Sequence, residues 1–319
     1  MPRSIVPIGI VALLVSAAST PVAADSCQLE QFASVPVKFA PSGHLLLDVA
    51  LDGEPTELIL DTGAGASTLS GAYVERRQWP VSETRVWGYG LTGKGLSGMV
   101  RVGLLRLGDA VSRGPAFGVA NFGGDGRDGG PVGLFAADYL ANYEVELDLA
   151  AGRIKLFSQD HCAGTLVFWA REYFRLPLQL TQDKRLTAEV PVDGRTLKAL
   201  IDTGAPQTTM RLAIARQLFD VAPPDGRTAT ASGIDGVKIA TFPHKFDSLT
   251  FGGITLRNTT VQISDINSGQ GAGNPGSHIT GKLDQPDLII GMSLLRQLHF
   301  LIAYSEPALY FTVGDQPNR

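Results

Sequence analysis

Cysteine is scarce in this chain: Cys27 and Cys162 are the only two among 319 residues. Two thiols exclude a multiply bridged scaffold and a cysteine-rich metal centre. Charge is sparse as well. Charged residues are 18% of the chain, and 27 lysines and arginines against 31 aspartates and glutamates leave a net charge of −4. With no basic stripe, nucleic acid is not an expected partner. The five histidines, His44, His161, His244, His278 and His299, are scattered without metal-ligand spacing, so no metal and no cofactor is expected. Long apolar runs are missing too. Beyond the N-terminus no stretch is long enough to cross a bilayer.

What is abundant is glycine, at 37 residues, with 19 prolines. That balance suits short strands joined by many turns rather than helical bundles. The 44% of hydrophobic residues supports real cores, and the length suits two domains. At the N-terminus Arg3 precedes an apolar run over residues 5–18, and Val22-Ala23-Ala24 offers small residues for cleavage before Asp25. Residues 1–24 therefore read as a signal peptide rather than a membrane anchor, which predicts an exported, periplasmic or secreted protein with no stable membrane association after cleavage. In such a compartment the even cysteine count predicts a Cys27–Cys162 disulfide.

The strongest signal is internal. Asp-Thr-Gly-Ala occurs at residues 61–64 and again at 202–205, each time at the end of an apolar run. Aligned at an offset of 141, residues 49–68 and 190–209 share eight identities in twenty positions: Val49, Asp52, Gly53, Asp61, Thr62, Gly63, Ala64 and Thr68 all recur. Asp52-Gly53 and Asp193-Gly194 are hairpin signals between apolar runs. The halves match again at Leu134-Phe135-Ala136 and Ile289-Ile290-Gly291, where the offset is 155. The second half therefore carries an insertion, placed in the glycine-rich stretch 268–281. So long a period means a duplicated domain, not a solenoid. The boundary falls between residues 159 and 171, giving an N-terminal lobe over 25–164 and a C-terminal lobe over 165–319. Short helices are expected near 72–78, 138–143, 212–218 and 293–298, and a closing strand in each half over 145–157 and 300–312.

An Asp at the end of a buried strand is costly unless its charge is managed. Two of them in two similar halves imply one shared site, where two carboxylates hold one proton between them.

These elements resemble the aspartic proteases of the pepsin and retropepsin type: a duplicated Asp-Thr-Gly after an apolar strand, a glycine-rich hairpin, then an apolar pair before a short helix. Ala64 and Ala205 look most like the retropepsin-like exported bacterial enzymes, here as two lobes in tandem. The resemblance implies an all-β, bilobal fold of two homologous, closed, barrel-like lobes with short helices. It implies an aspartic endopeptidase that hydrolyses peptide bonds with a water activated between Asp61 and Asp202. Thr62 and Thr203 would brace the two loops across the interface, and Gly63 and Gly204 would permit the tight turn and close approach. Residues 86–99 resemble a flap, with Trp87, Tyr89 and Gly90 set to contact an extended peptide. A weaker counterpart lies at 231–236. Because Ala64 and Ala205 carry no hydroxyl to stabilise an ionised Asp, the pair should titrate higher than in a pepsin and favour a mildly acidic to near-neutral optimum. Ala136 departs from the family's usual glycine: its methyl would crowd the first catalytic loop unless the local backbone keeps a negative φ, where Ala is tolerable.

The partner implied is a peptide or protein substrate, met by a monomer. Two rivals are a non-catalytic peptide-binding module on the same fold, and lobes that pair with their twins in another chain. Gly88–Gly93 matches a dinucleotide-binding pattern, but a strand-like run rather than a helix follows it. Residues 276–282 match most of a phosphate loop, but Leu283 stands where magnesium would need a hydroxyl. Asp125 and Asp128 read as a solvated loop rather than a calcium site.

Overall fold

The structure is a computed structural model that describes residues 29–83, 96–120, 124–162, 164–224, 229–232, 238–266 and 285–314. The elements are mainly strands, as the composition implied. Asp52-Gly53 joins strands Leu45–Leu51 and Glu54–Asp61, and Asp193-Gly194 joins Leu186–Val192 and Arg195–Ile201. All four turn residues have positive φ, between 43° and 81°, as a two-residue hairpin with right-handed strand twist requires. Each turn Asp also ties down the next hairpin. Asp52 Oδ1 accepts the Leu104 N–H at 2.6 Å, and Asp193 Oδ1 accepts the Ser248 N–H at 2.7 Å.

After its hairpin each half repeats one plan. Gly133–Ala136 runs parallel to Glu54–Asp61, with Ala136 opposite Asp61, and Thr68–Ser70 lies antiparallel beside it. Leu288–Ile290 runs parallel to Arg195–Ile201, and Thr209–Arg211 lies antiparallel beside it. The strands that carry the site are apolar on both faces because they are buried on both: Leu58, Ile59 and Leu60 in one, and Ala199, Leu200 and Ile201 in the other, are all buried. In the second half the long strands Lys238–Phe251 and Ile254–Ser264 complete the sheet, and Val192 pairs with Leu249 to close it into a barrel. In the first half Gly98–Arg101 and Leu104–Leu107 together occupy the place of one such strand.

A six-stranded antiparallel sheet joins the halves. Its order is Gln31–Phe39, Arg153–Phe157, Glu144–Asp148, Leu298–Ala303, Ala308–Val313 and Phe174–Pro177. Each half supplies three strands, and the seam is the register Val145 with Ile302 and Leu147 with Phe300. The two closing strands expected over 145–157 and 300–312 are hairpins instead. In the first, the Asp148 carboxylate caps the Ala151 N–H at 2.9 Å and Gly152 takes φ 63°, which turns the chain back. The second turns between Ala303 and Ala308. The four expected helices are present as Gly71–Arg76, Ala137–Leu140, Leu212–Phe219 and Met292–Leu295.

Two glutamates are fully buried at this seam, which burial permits only because both are paired. Glu144 accepts the Tyr304 N–H at 2.6 Å and lies 3.3 Å from His161 Nε2. Glu146 holds the Lys155 ammonium with both oxygens and lies 2.7 Å from His299 Nε2.

Candidate active site

Asp61 closes its strand and is 6% exposed, and Asp202 directly follows Arg195–Ile201, its N–H donating to the Ile290 carbonyl at 3.0 Å. In each, one carboxylate oxygen is held by its own loop. Asp61 Oδ1 accepts the Gly63 and Ala64 N–H groups, both at 2.9 Å. Asp202 Oδ1 accepts those of Gly204 and Ala205 at 2.8 and 3.0 Å. The loops come together within the one chain. A methyl placed on Gly63 would sit 2.3 Å from the Asp202 carboxyl carbon, and one on Gly204 would sit 2.3 Å from that of Asp61. Glycine is required at both positions because each backbone faces the other half's carboxylate.

Thr62 and Thr203 lock this arrangement, and both are fully buried. The Thr62 hydroxyl donates to the Ile201 carbonyl at 2.8 Å and accepts the Thr203 N–H at 3.0 Å. The Thr203 hydroxyl donates to the Leu60 carbonyl at 2.8 Å and accepts the Thr62 N–H at 3.1 Å. Four bonds thus cross between the halves with local two-fold symmetry. Every hydroxyl and N–H in the set is satisfied, as burial demands.

Burial raises the pKa of both carboxyl groups. For Asp61 the rise is opposed by the two backbone N–H donors, then by a hydrogen bond from Asp202, and least by the positive charge of Arg185. Asp202 is pushed well up, by burial first and then by the charge of Asp61 beside it. Two acids in this position titrate as a pair that retains one proton above the usual carboxylate range. One ionised and one protonated carboxyl at a single spot is the equipment of a general base with a general acid.

Ala136 keeps the negative φ at which alanine is tolerable. It is fully buried in extended conformation (φ −118°), and its N–H donates to Ser67 Oγ at 2.8 Å. Trp87, Tyr89 and Gly90 lie outside the described residues, as do Cys27 and residues 1–24, and Cys162 is half-buried. Sequence reasoning gave no role to His44 or Arg185. Both stand seventeen residues before an Asp-Thr-Gly, and the offset of 141 carries one onto the other. Among the described residues, Glu146, Asp148 and His299 place three potential metal-ligand atoms within 4.8 Å of one another. Lys155 and His299 already engage the Glu146 carboxylate, so the group is a structural ion network.

The family model described as aspartyl protease matches residues 47–136 and 188–294, one stretch in each half. Among solved structures, an aspartic proteinase from Irpex lacteus matches with a TM-score of 0.50 and 13% identity, over 89% of this chain and 97% of that one. Basic 7S globulin from soybean matches with 0.48 and 10% identity, over 90% and 96%. Conglutin gamma, a basic 7S globulin from lupine seeds, matches with 0.47 and 11%, over 90% and 96%. At such identities the likeness is one of fold. No curated protein sequence matches the chain.

Proposed function

The chain belongs to the aspartyl protease family, and from that premise we propose that it is an aspartic endopeptidase in which Asp61 and Asp202 act as one acid/base pair on peptide bonds. The observation that carries this reading is the mutual approach of the two carboxylates, each lodged against the other half's glycine. A water held between them would lose a proton to the ionised carboxylate as it attacks the peptide carbonyl. The protonated partner would donate to the carbonyl oxygen, and a proton would then pass to the leaving amine. Thr62 and Thr203 would not touch substrate. Their part is to hold both loops at the spacing that one water requires. The substrate is an extended peptide or protein segment, and the working unit is a monomer, since one chain supplies both carboxylates.

The test is cleavage of a diverse peptide library from pH 3 to pH 8 by the protein beside Asp61→Asn and Asp202→Asn. Cleavage that disappears in both variants supports the reading. Peptide binding without turnover by the folded wild type would make the protein a binding module on the protease fold instead. Export with removal of residues 1–24, and a Cys27–Cys162 bridge, complete the proposal. Mass measurement of the mature chain before and after reduction checks both.

A further inference from the structure

The two turns that precede the site hairpins occupy equivalent places and carry different chemistry. In the first, the Ala40 N–H donates to the His44 carbonyl at 2.9 Å and the Gly43 N–H to the Ala40 carbonyl at 2.8 Å. In the second, the Thr181 N–H donates to the Arg185 carbonyl at 2.9 Å and the Lys184 N–H to the Thr181 carbonyl at 3.0 Å. Gly43 and Lys184 both take positive φ, 86° and 67°. Each turn packs on the loop that follows the other half's Asp-Thr-Gly. The Cβ position of Gly43 is 3.1 Å from Pro206 Cβ, and that of Gly65 is 2.9 Å from Asp183 Cβ. Gly65 and Pro206 each lie four residues beyond the respective Asp.

The second turn brings a cation to this place. Arg185 Nε donates to Asp183 Oδ2 at 2.7 Å, and Thr181 Oγ1 donates to Asp183 Oδ1 at 2.5 Å, so the guanidinium is held from its own turn. Its charge acts across the interface on Asp61 and favours the ionised form there. The equivalent position in the first turn is His44, whose Nδ1 lies 2.8 Å from Ser42 Oγ. Burial lowers the His44 pKa and so favours the uncharged imidazole. The charged groups around the pair are therefore unequal. Arg185, with Asp183 bound to it, acts on Asp61, and the charge that acts most on Asp202 is that of Asp61 itself. Lys184, in the same turn, is exposed.

We propose that Arg185, whose turn packs on the loop after Asp61, biases the pair toward the charge on Asp61 and the proton on Asp202. The assignment of chemical roles rests on the proteolytic reading; the location of the charge does not. With that reading, Asp61 takes the proton from water and Asp202 gives its proton to the peptide carbonyl oxygen. Arg185 is then a positioning residue, acting through Asp61 from outside the reacting atoms.

The experiment is a titration of the ¹³C carboxyl resonances of Asp61 and Asp202 in the full chain, beside the pH profile of kcat/KM. Wild type is compared with Arg185→Gln, Arg185→Lys, Asp183→Asn and His44→Gln. Arg185→Gln should raise the lower apparent pKa of the pair by roughly half a unit, and less at high salt, because the guanidinium is partly exposed. The acid limb of kcat/KM should move up with it, costing about three-fold on that limb and little on the plateau. Arg185→Lys should recover most of the shift. Asp183→Asn should move the limb the opposite way, since Arg185 then acts without its counter-charge. His44→Gln should leave it in place. A uniform loss at every pH, or carboxyl titrations unchanged in a folded Arg185→Gln protein, overturns the proposal. If wild type cleaves nothing, the proteolytic reading fails and the titration still decides where the charge lies.

Discussion

The halves brace equivalent loops with different side chains. In the first half Ser67 Oγ donates to Asp138 at 2.6 Å and accepts the Ala136 N–H. In the second half Thr208 Oγ1 accepts the Gly291 N–H at 3.2 Å, and Ser293 Oγ accepts the Thr208 N–H at 2.8 Å. Asp138 and Ser293 are the same position at the offset of 155. A carboxylate and a hydroxyl thus do the same work, which is to tie the chain just after the Asp-Thr-Gly loop to the start of a short helix. What differs is the fit. A methyl on Gly291 would meet the Gln207 carbonyl oxygen at 2.3 Å and that of Ala205 at 2.7 Å, whereas Ala136 carries such a methyl. The second loop also lies closer to its helix: the Met292 N–H reaches the Ala205 carbonyl at 2.8 Å, and the Ala137 N–H reaches that of Ala64 at 3.1 Å. Duplication conserved the hydrogen-bond logic and let the packing drift.

The largest expected effect tests what the halves have in common. Asp61→Asn and Asp202→Asn should each lower kcat/KM by about 10³-fold or more, because neither carboxyl can complete the proton transfers alone. Steady-state assays on a cleaved library peptide give the ratio, and retention of activity in either variant would break the equivalence of the two loops. Next come the threonines. Thr62→Ala and Thr203→Ala should each cost about 2–4 kcal/mol in denaturant unfolding, since each strands a buried carbonyl and a buried N–H. Serine at either position should restore most of it.

The fit itself is tested by a reciprocal pair. Gly291→Ala should destabilise by about 2–3 kcal/mol through overpacking against backbone oxygens. Ala136→Gly should cost only about 0.5–1 kcal/mol through backbone entropy, and equal losses would show that the two loops pack alike.

The smallest effect is in the pH dependence. Asp202 holds its proton above the pH at which the unfolded chain releases it. The folded state therefore binds the extra proton, and this contribution to stability is present at low pH and is lost as pH rises through the folded pKa. Tm should fall between about pH 4 and about pH 7 by more in wild type than in Asp202→Asn. A wild-type curve parallel to that of the variant would contradict the raised pKa.

Much of the site was legible from residue order. The recurring Asp-Thr-Gly, the Asp-Gly turns and the apolar flanks all lie within twenty residues, where local periodicity carries the signal. Ala136 was readable as a departure tolerable only on a backbone of negative φ, and only the structure shows that φ. Its tolerance depends on where the carbonyls of the first loop sit, and no spacing reports that. Glu144 and Glu146 look like ordinary surface residues of an alternating strand. Only the pairing of Glu144–Asp148 with Leu298–Ala303, more than 150 residues away, buries them and supplies His299 and the Tyr304 N–H. Separation along the chain also hid the meaning of His44 and Arg185, since a turn gives no sign of which loop it will meet.

The sequence alone determined that this is a duplicated strand-rich chain with an Asp-Thr-Gly in each half, because those features are encoded in neighbouring residues and repeat at one offset. The tertiary structure decided how closely each carboxylate lies against the other half's glycine, Gly63 or Gly204, and which turn meets which loop: that of Arg185 packs after Asp61 and that of His44 after Asp202. Those outcomes arise where segments about 141 residues apart meet, and only packing sets the distance across which one charge acts on another.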